Sequence, residues 1–448
     1  MAQTQNLDQR FADAMGALLG PDFPSDLALA VSGGGDSMAM LTLAHNWTHR
    51  WGVRLWVVTI DHGLRPEAGE EAAMVAAECA ALGHSHHTLR WTFDGVGNVQ
   101  ARAREARLTL IDQWRGGVEH VLMAHSQDDV AETFLMRLER GAGVDGLASM
   151  SSRRTVTGIA DEVGEIIGDG PLPPRAEQYA ERSPMQIIRP CLEFSRAELR
   201  HYLTTLHGVW VEDPSNEDPK FDRVRVRRLL SEMEETGFAT AWFASAAKRM
   251  TRARKALLAR AASVWDQIGA QTPAGLEFNR AMAEIEDDTA LRLISYGCRY
   301  ISGNAYAPRE SVVEQAWEVA RVGGTITLHG CVVHTSRDRI ALYREFNAVK
   351  SLKITATKGA IWDDAWQVTT AKFEGCTVRA LGEDGWGQLS QIQREQRKGV
   401  PKHAAALAQP SIWDGEKLVV CPAFEVGQDG DVALHRCDIG FKAFLLSH

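Results

Sequence analysis

No Cys-x-x-Cys pair occurs in the sequence, and its seven cysteines (Cys79, Cys191, Cys298, Cys331, Cys376, Cys421 and Cys437) are odd in number and widely scattered. That argues against a disulfide frame, a structural zinc or a sulfur-carrying dithiol, and suits a reducing compartment. No apolar run approaches the roughly 18 residues that would suggest a bilayer span, so no membrane association is expected. Residues 1–20 lack a basic region followed by an apolar stretch and a small-residue cleavage site; no secretion signal is read, and the cytoplasm is the expected compartment. An excess of positive charge is missing too. The 49 Lys+Arg against 58 Asp+Glu leave −9, which taken whole weighs against a nucleic-acid partner. What remains, 45% hydrophobic and 24% charged residues, is the make-up of a globular chain and not of a disordered one. At roughly 100–200 residues per domain, the length suggests about three domains.

The first half alternates short apolar runs with helix-length segments. Leu27–Val31 feeds a glycine loop, and Met38–Thr48 has helical spacing. Leu55–Ile60 is a second β-rich run ending in Asp61-His62-Gly63, and Glu67–Leu82 an Ala-rich helix. His86–Trp91 and Val118–Ala124 read as further strands, Asn98–Trp114 as a helix with Asn98 at its N-cap, and Asp128–Arg140 as the next helix. Such alternation predicts an α/β fold, a parallel sheet with helices on both faces. Residues 151–184, rich in glycine and holding Pro171-Leu172-Pro173-Pro174, read as a loop or inserted excursion before a last strand at Ile187–Arg189. From Ser195 the pattern turns helical, through Arg196–Leu206, Arg223–Glu235 and Phe238–Ile268 to about Val322. Short β-type runs then suggest a small C-terminal α+β unit. The expected domains are residues 1–220 (with 151–184 inserted), a basic helical part at 221–325, and 326–448.

The sharpest local signal is Ser32-Gly33-Gly34-Gly35-Asp36-Ser37, between an apolar strand and a helix. Glycines let the backbone turn and approach an anion, while the free amides of a helix start supply donors and a positive dipole end. A phosphate or pyrophosphate fits there. The lysine of a P-loop is absent, and the spacing is not that of a dinucleotide fingerprint.

Two further stripes lie on predicted helices. Gln100, Arg104 and Arg107 share one face, suited to a polyanion or simply solvated. Asp129 and Glu132 open the helix after His125, at a strand's carboxyl end, where open α/β sheets bind ligands. Two close carboxylates can hold magnesium or a substrate amine, whereas Asp128 reads as a helix cap. A third feature is electrostatic. Between Pro219 and Arg260 stand eleven basic residues, among them Arg223, Arg225, Arg227, Lys248, Arg249 and Arg252, against four acidic ones. In a chain that is acidic as a whole, such segregation suits contact with a phosphate backbone.

Taken together, these motifs resemble a known family. Ser-Gly-Gly-x-Asp-Ser after a first strand is similar to the pyrophosphate loop (PP-loop) of the N-type ATP pyrophosphatases. Four more stretches, in order, resemble the tRNA(Ile)-lysidine synthase family: Asn98–Arg107, Ala124–Thr133, Arg137–Gly143 with Gly146-Leu147, and Asp213–Asp218 with Phe221–Arg227. The resemblance implies an adenine nucleotide α-hydrolase-like domain and an enzyme that uses ATP and magnesium. It would join free L-lysine to the wobble cytidine of the isoleucine tRNA with a CAU anticodon, releasing AMP and pyrophosphate, and it allows a homodimer. It implies that Ser32 to Ser37 hold the ATP phosphates, with Asp36 linked to the metal. Arg104, Arg107 and Arg223 would contact the α-phosphate and cytidine, Asp129 and Glu132 the lysine, and His125 would position groups or accept a proton. Arg223, Arg225, Arg227, Lys248, Arg249 and Arg252 would contact tRNA. Ser126, Leu108 and Val224 depart from the family's common histidine, tyrosine and asparagine at those positions. A tRNA thiolase or an amide-forming synthetase would share the loop, but the former is disfavoured by the missing cysteine pair. A non-catalytic RNA- or nucleotide-binding protein has no need of Asp36, Asp129 and Glu132 together.

Overall fold

The computed structural model describes residues 6–63, 68–92, 99–156, 164–168, 170–174, 183–212, 222–304, 306–391, 402–427, 434–436 and 439–447, with backbone alone at 99–101, 104, 105 and 435. The chain divides into two compact units, Met1–Arg252 and Ala253–His448.

The N-terminal unit opens with α1 (Leu7–Leu19) and then alternates as expected: β1 (Asp26–Ala30), α2 (Gly35–Trp51), β2 (Arg54–Asp61), α3 (Ala68–Leu82), β3 (Ser85–Arg90), α4 (Val99–Trp114), β4 (His120–Met123) and α5 (Gln127–Glu139). A single turn, α6 (Val144–Leu147), precedes β5 (Arg153–Val156), β6 (Glu165–Ile167), β7 (Met185–Ile188) and α7 (Arg196–Thr205). Next come α8 (Asp222–Glu235) and α9 (Thr240–Ile268), within which the division between units falls. The strands form one seven-stranded sheet in the order β5-β7-β4-β1-β2-β3-β6. Its five inner strands are parallel, and β5 and β6 flank them antiparallel. Leu27, Ala28, Leu29, Val57, Val58, Val121 and Leu122 are fully buried, as a sheet covered on both faces requires. The stretch expected as a loop, 151–184, thus contributes both borders of the sheet: its strands are only three or four residues long and mostly exposed, too short and too polar for a periodic signal.

The central strand β1 has β2 on one side and β4 on the other, with Ala30 opposite Met123. The chain winds away from β1 in both directions, which opens a crevice at the carboxyl ends of β1 and β4.

In the C-terminal unit, β8 (Gly269–Thr272) and β9 (Gly275–Asn279) form a hairpin within the stretch expected to be helical. After α10 (Asp287–Ser302) and α11 (Glu310–Arg321), the strands β10 (Thr325–Leu328), β11 (Cys331–Thr335) and β12 (Arg339–Arg344) complete an antiparallel sheet ordered β10-β11-β12-β9-β8. Because β9 pairs with β12, one core spans the boundary expected near 325. Two smaller sheets follow, and in their cores Trp362 and Trp413 are fully buried, packing as a small β unit needs. Among the described residues no helix is long and apolar enough to cross a membrane.

Candidate active site

The site begins where β1 ends. At Gly33 the backbone has φ +83°, a left-handed value for which glycine is suited. Gly34 is the N-cap of α2 in extended conformation and makes no side-chain cap, so the first amides of the helix are left for a ligand. Inside the loop, Ser37 is the brace. Its hydroxyl donates to the Gly34 carbonyl at 2.9 Å and accepts from the Ser32 amide at 3.2 Å. From outside, the Val211 amide donates to the Gly33 carbonyl at 2.9 Å.

Asp36 lies in the first turn of α2. Burial raises its carboxyl above the ordinary value; the Arg196 charge opposes this, and the charges of Asp129 and Asp128 reinforce it. Its Oδ2 accepts from Arg196 Nε at 3.3 Å, while Oδ1 is buried with no hydrogen-bond partner.

Across the crevice, α5 starts with a capping box: Ser126 N–H donates to Asp129 Oδ2 at 2.8 Å. Ser126 is thus the N-cap of α5, and Asp129, at the third helical position, closes the box. Asp128, which the sequence suggested for that task, accepts instead from the Arg196 backbone amide at 2.7 Å and so caps α7. The other oxygen of Asp129 faces Arg223 Nη2 at 3.2 Å and Arg196 Nη2 at 3.6 Å. Burial pushes the Asp129 carboxyl up, but Arg223, the Ser126 amide and Arg196 outweigh it, and its pKa lies below the ordinary value.

Glu132, one turn on and 1% exposed, sits among three guanidiniums. Its Oε1 accepts from Arg196 Nη1 at 3.1 Å and Arg227 Nε at 2.9 Å, and its Oε2 from Arg223 Nε at 2.8 Å. A buried carboxylate demands such compensation. Arg196, absent from the sequence-derived set, is the hub of this network. Ser195 and Glu198 form the capping box that starts α7 at that residue, a signal readable in Ser195-x-x-Glu198, but nothing in the sequence says where its side chain points.

His125 precedes α5. Its Nδ1 accepts from Arg189 Nε at 3.2 Å; since a guanidinium only donates, the neutral ring carries its proton on Nε2. Burial first, then the charges of Arg189, Arg223 and Arg107 against that of Asp129, lower its pKa to about 4. With Nδ1 taken by Arg189, the neutral ring has its Nε2–H as the donor left to hold a group in position. His62 at the end of β2 packs edge-on against Trp91 and is likewise held to about 4 by burial and by Arg107. The Arg107 charge is thus felt by both histidines, at the ends of two strands.

The expected tRNA set separates. On α8, Arg223 and Arg227 are one turn apart and face the acids, whereas Arg225 turns to Asp222 at 2.8 Å and Glu139 at 3.9 Å. On α9, Ala244 and Ala247 pack under Val130, leaving Lys248, Arg249 and Arg252 exposed; Lys248 pairs with Glu193. Arg137 is structural, donating to the carbonyls of Gly146 at 2.8 Å and Ala148 at 3.2 Å around α6. The side chain of Arg104 and all of Asp213 to Phe221 lie outside the described residues.

Among the described residues, no group of three or more His, Cys, Asp or Glu could hold a metal on its own. The arrangement is instead a nest of amides, one carboxylate with a free oxygen, and an acid–arginine cluster, all at one crevice. That can bind a polyphosphate with its cation and present a charged pocket beside it.

Comparison with known proteins agrees with this geometry. The PP-loop domain family matches residues 7–234. The chain is 36% identical over 434 residues to the tRNA(Ile)-lysidine synthase of Ruegeria pomeroyi, covering 95% of each. It is 31% identical to that of Wolbachia pipientis wMel over 80% of this chain and 79% of the relative. For that of Rhodopseudomonas palustris the identity is 34%, over 70% and 89%.

Proposed function

The chain belongs to the tRNA(Ile)-lysidine synthase family and carries its PP-loop domain, and from that premise we propose that it is the enzyme that forms lysidine in an isoleucine tRNA at the expense of ATP. The observation that carries this reading is the meeting of the glycine loop and the α5 acids at one crevice, joined through Arg196.

The C2 oxygen of cytosine is a poor leaving group. In the proposed first step that oxygen of the wobble cytidine in a CAU anticodon attacks the α-phosphorus of ATP, and pyrophosphate leaves. In the second, the lysine ε-amine attacks C2, the C–O bond breaks, AMP departs and the amine loses its proton. The amides of Gly35, Asp36 and Ser37 would cradle the departing pyrophosphate. Arg107, whose charge reaches the ends of two strands, suits the α-phosphate. Magnesium fits Asp36, whose Oδ1 is buried and unpartnered; with one carboxylate here, phosphate oxygens and water would complete its shell. When bound, the ion neutralises charge developing on the pyrophosphate. Asp129 and Glu132 would take the lysine amine in exchange for Arg223, the most exposed of their guanidinium partners at 47%. His125 would donate from Nε2 to hold a reacting group in place. Arg223, Arg225, Arg227, Lys248, Arg249 and Arg252 are the proposed contacts to the tRNA backbone, and the cytoplasm is the proposed compartment.

The test is incubation with ATP, magnesium, labelled lysine and the CAU isoleucine tRNA. Label transferred to the tRNA, and lost in Asp36→Ala and Asp129→Ala, supports the reading; no transfer by the wild-type chain refutes it.

A further inference from the structure

Three carboxylates face one another across the crevice: Asp36 from the first turn of α2, and Asp129 and Glu132 from α5. Like charges this close, largely out of water, need a shared counter-ion. One guanidinium serves all three. Arg196 gives Nε to Asp36 at 3.3 Å and Nη1 to Glu132 at 3.1 Å, and places Nη2 3.6 Å from Asp129. Its backbone is pinned by the bond to Asp128 at 2.7 Å and by the capping box of α7, and its side chain is 18% exposed. A planar fork held at its root and on two sides has little freedom, and a lysine has neither the reach nor the directions to replace it.

The consequence falls on Asp36. With Oδ2 committed to Arg196, the carboxylate cannot turn, and only the buried Oδ1 is free. A carboxylate that offers one oxygen is a monodentate ligand, the kind that the strict octahedral shell of magnesium accepts. We infer that Arg196 is a positioning residue: it holds Asp36 as a one-oxygen ligand for the cation that accompanies the nucleotide. This rests on the ATP-dependent reading above. It adds a residue from α7, outside both the glycine loop and the acids, that decides how the metal-bound nucleotide is distinguished from the bare one.

The test is a binding measurement on the full chain. α,β-Methylene ATP is titrated calorimetrically into the protein, once with magnesium and once with the metal chelated. The wild type should bind the magnesium form more tightly. Arg196→Gln should weaken the magnesium form by about 10–100-fold, the usual cost of losing a group that orients a ligand, with the metal-free form changed less than about twofold. Asp36→Asn should lose the same preference, and the double variant should lose no more than either alone. Arg196→Lys keeps the charge but not the fork and should lose the preference as well, which covers the case in which the glutamine variant does not fold. An undiminished preference in both Arg196 variants, or equal weakening of the two nucleotide forms, overturns the inference while the functional reading stands. Absence of any nucleotide binding by the wild type strikes that reading, and this inference with it.

Discussion

Replacing Glu132 by glutamine removes one charge from a position 1% exposed and leaves the volume almost unchanged. Three guanidiniums then converge on a neutral amide whose NH2 group points a donor at donors. Breaking a buried ion pair from one side costs about 3–5 kcal/mol. Here the surviving partners can partly return to water, since Arg223 is 47% and Arg227 32% exposed, and Arg196 keeps Asp36 and Asp129. The lower end, about 3 kcal/mol, is therefore expected. For a unit of this size each kcal/mol moves the melting temperature by about 2–4 °C, so the N-terminal unit should melt about 6–12 °C lower. Differential scanning calorimetry of the full chain, with the transition of that unit identified from the wild type, measures this. A downward shift smaller than about 2 °C, or an upward one, would mean that the cluster contributes nothing net to the fold, and the reasoning from burial would fail.

Three further outcomes follow from the same geometry. Arg223→Ala removes the largest influence that lowers the Asp129 carboxyl, so the Asp129 pKa should move upward when followed by carbon-detected NMR; an unchanged value would show that Arg223 does not dwell on Asp129. His125 should titrate near 4 and show the Nε2–H tautomer by nitrogen chemical shift. Its folded pKa lies below the unfolded value of about 6.5, so the unfolded chain takes up the proton first and this residue lowers stability as pH falls from about 6.5 toward 4. His62 and His86, also held to about 4, act in the same sense, and a flat stability profile across that window would contradict the assignment. For Arg249→Ala and Arg252→Ala, tRNA affinity should fall and the salt slope decrease by about 1 each, with nucleotide affinity unaffected; an unchanged slope would take α9 out of the tRNA contact surface.

The parallel core was readable because strand and helix periods differ and because Gly33 to Gly35 sit where one gives way to the other. The same motif located half the site. The α5 acids were found through their place after a strand, but periodicity could not say which of Asp128 and Asp129 would cap their own helix, since both suit its first turn. Arg223, Arg225 and Arg227 looked equivalent as alternating bases; on a helix, residues two apart diverge and those four apart align, and only Arg223 and Arg227 reach Glu132. Arg196 escaped notice because an arginine opening an amphipathic helix is ordinary until three acids from two other helices turn out to surround it. Strands of three to five residues, as in β5, β6, β8 and β9, leave too few alternations to stand out from a loop.

The two outermost strands of the seven-stranded sheet, β5 and β6, come from one excursion of the chain, yet they lie at opposite ends of the strand order. An excision within that excursion would strip both margins in a single event, baring β7 on one side and β3 on the other. Two rows of unsatisfied amides and carbonyls would then be offered to any neighbouring molecule. The part of the sequence that most resembles a dispensable insertion thus supplies the short, exposed strands that stand at both margins in place of β7 and β3.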